Sequence, residues 1–252
     1  MSILNKLFVS MAFLTRLPIP EEWQGEKKLS QATFFFPIAG FLVGLLSFAV
    51  ALVFQRMFGF HAGFIAAFLF PLLLTGGLHL DGLADSADGL FYAGSRIRRL
   101  EIMRDSQLGT YGVLALVIDL LLRFYGTYLL WQSPSCRWLI VVMPFVGKLG
   151  ALFVLGYGKS PTSEGNISAG IADSTTVNEA WLWTLFFVFF CFFSPVFGSW
   201  LLFVPIVFFV TVWAYKKIDA ASGDLCGFVN EVWETTFLLS IVITFPNDIM
   251  IV

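Results

Sequence analysis

Charge is what this sequence has least of. Only 13% of its 252 residues are Asp, Glu, Lys or Arg, against about 25% in a soluble domain. That shortage excludes an ordinary water-exposed surface. Cysteine is also scarce: Cys136, Cys191 and Cys226 are scattered, with neither metal-ligand spacing nor a disulfide framework. There are two histidines, and His79 has no second histidine or cysteine at usable spacing, which excludes a zinc site. The formal net charge is −2 with no basic stripe, so nucleic acid is excluded as a partner. No internal repeat is visible. No cleavable signal peptide is expected, because Lys6 and Arg16 interrupt a short apolar run that lacks a small-residue cleavage site.

Apolar residues fill the space that charge leaves. The chain is 58% hydrophobic with 30 Phe, and its mean hydropathy is +0.84. Several windows approach the roughly 20 apolar residues needed to cross a bilayer. The expected fold is an all-α, polytopic helical bundle, a single integral membrane domain over residues 1–252. Residues 1–30 read as a membrane-surface helix or a leading anchor, ended by Pro18 and Pro20. Spans are expected at 31–54, with Gly40 and Gly44 as a small-residue packing pair, and at 62–79, 111–130 and 138–157. The block 180–215 is too long for one ordinary span, and Ser194-Pro195 and Gly198 suggest a tight hairpin between two short spans or one kinked element. A last span runs to about residue 251, giving about seven in all (six to eight).

Cations then orient the bundle. With the N-terminus inside and seven spans, Lys6, Arg16, Lys27, Lys28, Arg96, Arg98, Arg99, Arg104, Lys159, Lys216 and Lys217 fall on the cytoplasmic side. Only Arg56 and Arg137 fall outside, a strong positive-inside bias. The polar segments 80–110, 158–179 and 216–231 share that inner face. Arg123 and Lys148 lie within spans. Asp119 stands four residues before Arg123 as its nearest partner in sequence, and Lys148 has no local partner. Lys148 is therefore a candidate for an anionic substrate group or for an acid on another helix.

The chain is organised around GGLHLDGLADSADGLFYAGSRIRRLEIMRDSQLGTYG, from Gly76 to Gly112. A helix opening near Asp81 puts Asp85 and Asp88 on the same face, and Glu101 and Asp105 are again four apart. Like charges at that spacing repel, so a cation or ligand between them is the natural reading. Grouped carboxylates are hard oxygen ligands suited to Mg²⁺ and, through it, to a phosphate or pyrophosphate. His79 is a candidate base or phosphate contact. Arg16 at a rigid Pro turn and Arg104 between two acids are candidate phosphate clamps. Asp224 and Glu231 are further acidic candidates on the same side. The residues leave three readings open: a membrane-embedded, metal-dependent phosphotransferase, an ion-coupled transporter using boundary carboxylates, and a non-catalytic assembly subunit.

HLDGLADSADGLF followed by EIMRDSQLGTYG resembles the cobalamin synthase family, the adenosylcobinamide-GDP ribazoletransferases. FLTRLPIP at 13–20, FFPIAG at 35–40 and SGDLCGFVNE at 222–231 extend the resemblance in the family's order. It implies an enzyme of the bacterial inner membrane that joins adenosylcobinamide-GDP to alpha-ribazole or its 5'-phosphate, releasing GMP, and that requires Mg²⁺. On that resemblance the metal falls to Asp81, Asp85 and Asp88, with Glu101 and Asp105 as a second set. His79 serves as base or leaving-group contact, and Arg16, Arg104, Lys148, Asp224 and Glu231 bind substrate. A homodimer, or association with other corrinoid-pathway enzymes, is compatible with it. A CDP-alcohol phosphotransferase also uses helical aspartates, but its D-G-x-x-A-R run is missing: Asp85 follows Leu83 and Ala84.

Overall fold

The structure, a computed structural model, describes residues 2–25, 29–159, 175, 177–192 and 198–244. All regular structure among them is helical. Helix α1 (Ile3–Leu14) is capped by Ser2, whose hydroxyl accepts the Asn5 N–H, and it stops at Thr15, ahead of Pro18 and Pro20. A single turn, α2 (Glu21–Gln24), follows. Helix α3 (Phe36–Phe58) is entered through a tight turn at Thr33–Phe35; its 23 residues span about 34 Å at 1.5 Å per residue. Gly59 then reverses the chain into α4 (Phe60–Thr75), which packs against α3.

The next junction positions the acidic stripe. Gly76 and Gly77 both hold positive φ, 63° and 72°, which costs a residue with a Cβ dearly. The chain bends there by 79° into α5 (Leu78–Phe91). The chain breaks at 92–95, where Ser95 caps α6 (Arg96–Met103). The long helix α7 (Thr110–Gln132) follows. A tight turn at Arg137–Val141 leads into α8 (Met143–Tyr157). The described chain finishes with α9 (Val177–Phe192), α10 (Trp200–Ile218) and α11 (Gly223–Thr244).

α8 is the centre of the bundle. Every residue from Leu139 to Leu152 is buried, and α3, α9 and α11 pack around it. Gly40 and Gly44 of α3 stand against the backbone of Pro144 and Val141, the close approach their spacing anticipated. α7 and α10 are peripheral: Ile118, Leu121, Phe208 and Phe209 are exposed. Such large apolar side chains suit surrounding hydrocarbon, not water.

The molecule is thus an all-α, multi-spanning bundle. Five described helices are long and apolar enough to cross a membrane, or six if the bent pair α4–α5 is one span. Seven were expected. The difference lies at α9, whose 16 residues reach only about 24 Å, short of a hydrocarbon core of about 30 Å. The block 180–215 does divide into two helices, α9 and α10, while the Ser194-Pro195 turn lies outside the described residues.

Candidate active site at the carboxylate end of the bundle

Gly82 fixes where α5 meets α11. A Cβ on Gly82 would stand 2.8 Å from the Asp224 carbonyl oxygen and 3.0 Å from the Cα of Gly227. The two backbones therefore touch, and a cavity of about 300 Å³ opens beside the contact. His79, Asp81, Arg96, Arg104, Lys148 and Asp224 line it, drawn from α5, α6, α8 and α11. Asp85 lies one turn further along α5. The carboxylates of Asp81, Asp224 and Asp88 all oppose its charge. Arg104 is the cation that favours ionised Asp224.

His79 is 8% exposed, and its Nε2 has no hydrogen-bond partner among the described residues. A buried polar atom left unpaired costs about 1–3 kcal/mol. A nitrogen of that kind on a cavity wall is a candidate to meet a bound group. Arg16 lies over Gly76, where its side chain fills the space of a Cβ, and its N–H donates to the Leu74 carbonyl at 2.7 Å. It is exposed beside Phe13 and Leu14, which line the cavity.

Other expected site residues have different surroundings. Asp88 accepts the Gly109 N–H at 2.8 Å and the Gly112 N–H at 2.9 Å, bracing the free amides at the start of α7. Glu101 is exposed and paired with Arg98 at 2.9 Å. Asp105 accepts the Gln107 N–H at 3.0 Å and shares a shallow depression with Asp88. Neither Glu101 nor Asp105 lines the cavity. Glu231, expected beside the substrate, is 3% exposed and bonded to Arg123 inside the bundle.

That buried pair belongs to a network. Arg123 also donates to Glu234 at 2.7 Å, and Asp119, its expected partner, stands further off at 3.9 Å. Lys148 donates to Asn230 Oδ1 at 2.8 Å and lies 3.5 Å from Glu234. Asn230 in turn donates to Glu231 and Glu234, both at 3.0 Å. Lys148 thus meets an acid on another helix while also facing the cavity. Asn230 and Glu234 were missed from the sequence. Glu231 and Glu234, three apart on an apolar helix, were the available signal that a buried cation faces them.

The polar segments meet at this end. Arg96 donates to the carbonyls of Ile218 (2.6 Å) and Asp219 (2.8 Å), which ends α10. Lys217 donates to the Leu90 carbonyl at 2.9 Å, and Ala221 N–H to the Lys159 carbonyl at 2.9 Å. Residues 160–174 and 176 of the 158–179 segment lie outside the described residues. Among the described residues, no three His, Cys, Asp or Glu side chains form a group that could hold a metal ion unaided.

Comparison with known proteins places this chain in a family. The family described as CobS, cobalamin-5-phosphate synthase, matches residues 6–242. An adenosylcobinamide-GDP ribazoletransferase of Clostridium botulinum (strain Kyoto) is 34% identical over 247 residues, covering 94% of this chain and 97% of the relative. The proteins of that name from Clostridioides difficile and Thermodesulfovibrio yellowstonii are 30% and 29% identical, covering 94% of this chain and 97% and 95% of their own. No solved structure matches. The chain belongs to the CobS family of cobalamin-5-phosphate synthases.

Proposed function

We propose that this chain transfers the adenosylcobinamide phosphate group of adenosylcobinamide-GDP to alpha-ribazole or its 5'-phosphate, the reaction for which its relatives are named. The ribose 3'-hydroxyl attacks the phosphorus that carries the cobinamide group. The bond from that phosphorus to the bridging oxygen breaks, GMP leaves with the oxygen, and the hydroxyl proton passes to a base. The observation that carries this reading is the cavity itself. The carboxylates of Asp81 and Asp224 line it together with the cations Arg104 and Lys148, and His79 Nε2 there has no hydrogen-bond partner among the described residues.

The donor set fits a hard divalent cation. Asp81, Asp85 and Asp224 offer only oxygens, the donor type such a cation takes. Mg²⁺ would be held by these three together with phosphate oxygens of the substrate, and it would supply neutralisation of the pyrophosphate charge. Asp88 would act from behind, fixing α7 against α5. Arg104 and Arg16 would bind phosphate oxygens, Lys148 would add a fixed positive charge, and His79 Nε2 would accept the hydroxyl proton or hold a phosphate oxygen. The cavity end faces the cytoplasm of an inner-membrane protein, by the distribution of cations between the two ends.

The test is an assay in membranes with adenosylcobinamide-GDP, alpha-ribazole 5'-phosphate and Mg²⁺, following GMP release and cobamide formation. Wild type should turn over only with Mg²⁺, and Asp85→Asn should lose about 10²-fold or more, the scale of one catalytic electrostatic contact. Full activity in Asp85→Asn would remove that residue from the site. No product from folded wild type would restore the ion-coupled transporter reading, which the charges buried inside the bundle favour.

A further inference from the structure

A second cavity in the described structure takes no part in the chemistry above. It holds about 570 Å³ among α8, α9, α10 and α11. Phe187, Phe203, Val207 and Trp233 form its buried floor, while Val204 and Phe208 stand exposed at its mouth. The mouth therefore opens sideways, toward the lipid-facing surface of α10.

Its polar atoms are already used. Trp233 Nε1 donates to Thr211 at 2.9 Å, Trp181 Nε1 to Tyr157 at 2.7 Å, and Thr184 to the Ala180 carbonyl at 2.8 Å. The groove thus shows an occupant almost nothing but hydrocarbon, and water, which needs two to four polar partners, has no place to bond. Its polar end differs. Tyr157, Tyr215 and Lys216 sit there, at the carboxylate end of the bundle, and Lys159 is close by, its N–H donating to Tyr215 at 3.0 Å. Lys216 is exposed and has no ion-pair partner among the described residues. Along α10, Val204 to Lys216 rises about 18 Å at 1.5 Å per residue, close to the depth of one leaflet, half of a core of about 30 Å.

We propose that this groove binds one acyl chain of an anionic phospholipid, with the headgroup at Lys216. The length, the lateral mouth and the dry lining select a hydrocarbon chain, and the cation with its two tyrosine neighbours selects the headgroup charge. A site of this kind would hold α9 and α10 against α8 and α11 without any protein-made contact filling the gap.

The experiment uses full-length protein in phosphatidylcholine vesicles carrying a trace of phosphatidylglycerol with a photoactivatable group along its acyl chain. After illumination, labelled residues are mapped by mass spectrometry. Label is expected on Phe153, Phe203 and Val207 above the level on outward-facing Leu121 of α7. Val207→Trp, which fills the groove, should bring that label to the level on Leu121. Lys216→Glu, a surface change that leaves the groove intact, should lower it about fivefold, the scale set by one basic residue at an anionic surface. Phosphatidylcholine tracer should be indifferent to Lys216→Glu. Groove label no higher than on α7 would overturn the site. Equal labelling by both tracers in wild type would overturn the headgroup assignment.

Discussion

His79 is the side chain for which stability and activity separate most cleanly. It is 8% exposed with Nε2 unbonded, so the folded protein bears the cost of burying it and gains no hydrogen bond in return. Replacing it with phenylalanine removes the orphan nitrogen and places apolar atoms against Phe13, Leu14 and Phe36 of the same cavity. His79→Phe should therefore keep or raise the melting temperature in detergent while GMP release falls about 10²- to 10⁴-fold, the range for losing a general acid–base group. A drop in melting temperature matching the drop in activity would give His79 a structural role instead. The neighbouring buried charges show how far single residues could be read. Asp81 and Asp85 could be grouped because four residues on a helix share a face, whereas Asp224 was placed with them only by the membrane side assigned to its loop. The partners of Lys148 were not, because Asn230 lies 82 residues away and no local pattern links them. Asp119 looked like the partner of Arg123 for the same reason: four residues is close in sequence, but Glu234 of α11 is closer in space.

At the scale of elements, α5 does three jobs along 14 residues. Its start carries His79 and Asp81 into the cavity, Gly82 lets it touch α11, and Asp88 at its far end receives the first amides of α7. The third job predicts a measurable local effect. Asp88→Ala leaves the N–H groups of Gly109 and Gly112 without their acceptor, and the methyl group cannot reach them. Loss of a helix cap costs about 0.5–2 kcal/mol, so hydrogen exchange at the first turn of α7 should accelerate by about tenfold, with the far end of α7 unchanged. Asp88→Asn, which keeps one carbonyl oxygen, should fall between. Uniform acceleration along α7 would mean that Asp88 supports the whole fold, not one helix end. The helices themselves were largely visible in the sequence, and the break at 92–95 follows from glycine and serine; the span expected at 62–79, however, ends at Thr75, because Gly76 and Gly77 take positive φ. The bend of 79° was not visible, since Gly-Gly permits many directions and only packing against α11 selects one. The helix carrying the aspartates was expected, but for that reason not as the second arm of a bent helical pair.

Over the whole molecule, the two ends of the bundle differ in charge, and that difference can be tested without reference to catalysis. Phe36, at the start of α3, lines the carboxylate cavity, and Phe58 lies about 34 Å further along the same helix. Arg56 therefore sits at the opposite end, and so does Arg137, whose guanidinium is 3.5 Å from Gln55. Arg96, Arg98, Arg99, Arg104, Lys216 and Lys217 gather at the cavity end on α6 and at the end of α10. The positive-inside rule counts residues of this kind close to membrane edges, and under it the proposed orientation has the crowded end facing the cytoplasm. Met57 is 65% exposed and the Arg98 side chain 59%, so both positions admit a reagent. In a variant lacking the three native cysteines, Arg98→Cys should react with a membrane-impermeant maleimide in inverted vesicles and stay protected in intact cells. Met57→Cys should show the reverse. Both labelled from one side would contradict a span along α3. The two patterns exchanged would place the cavity outside, away from nucleotide made in the cytoplasm, and the GDP-linked substrate of the proposed reaction would then have no route to Asp81 and Asp85.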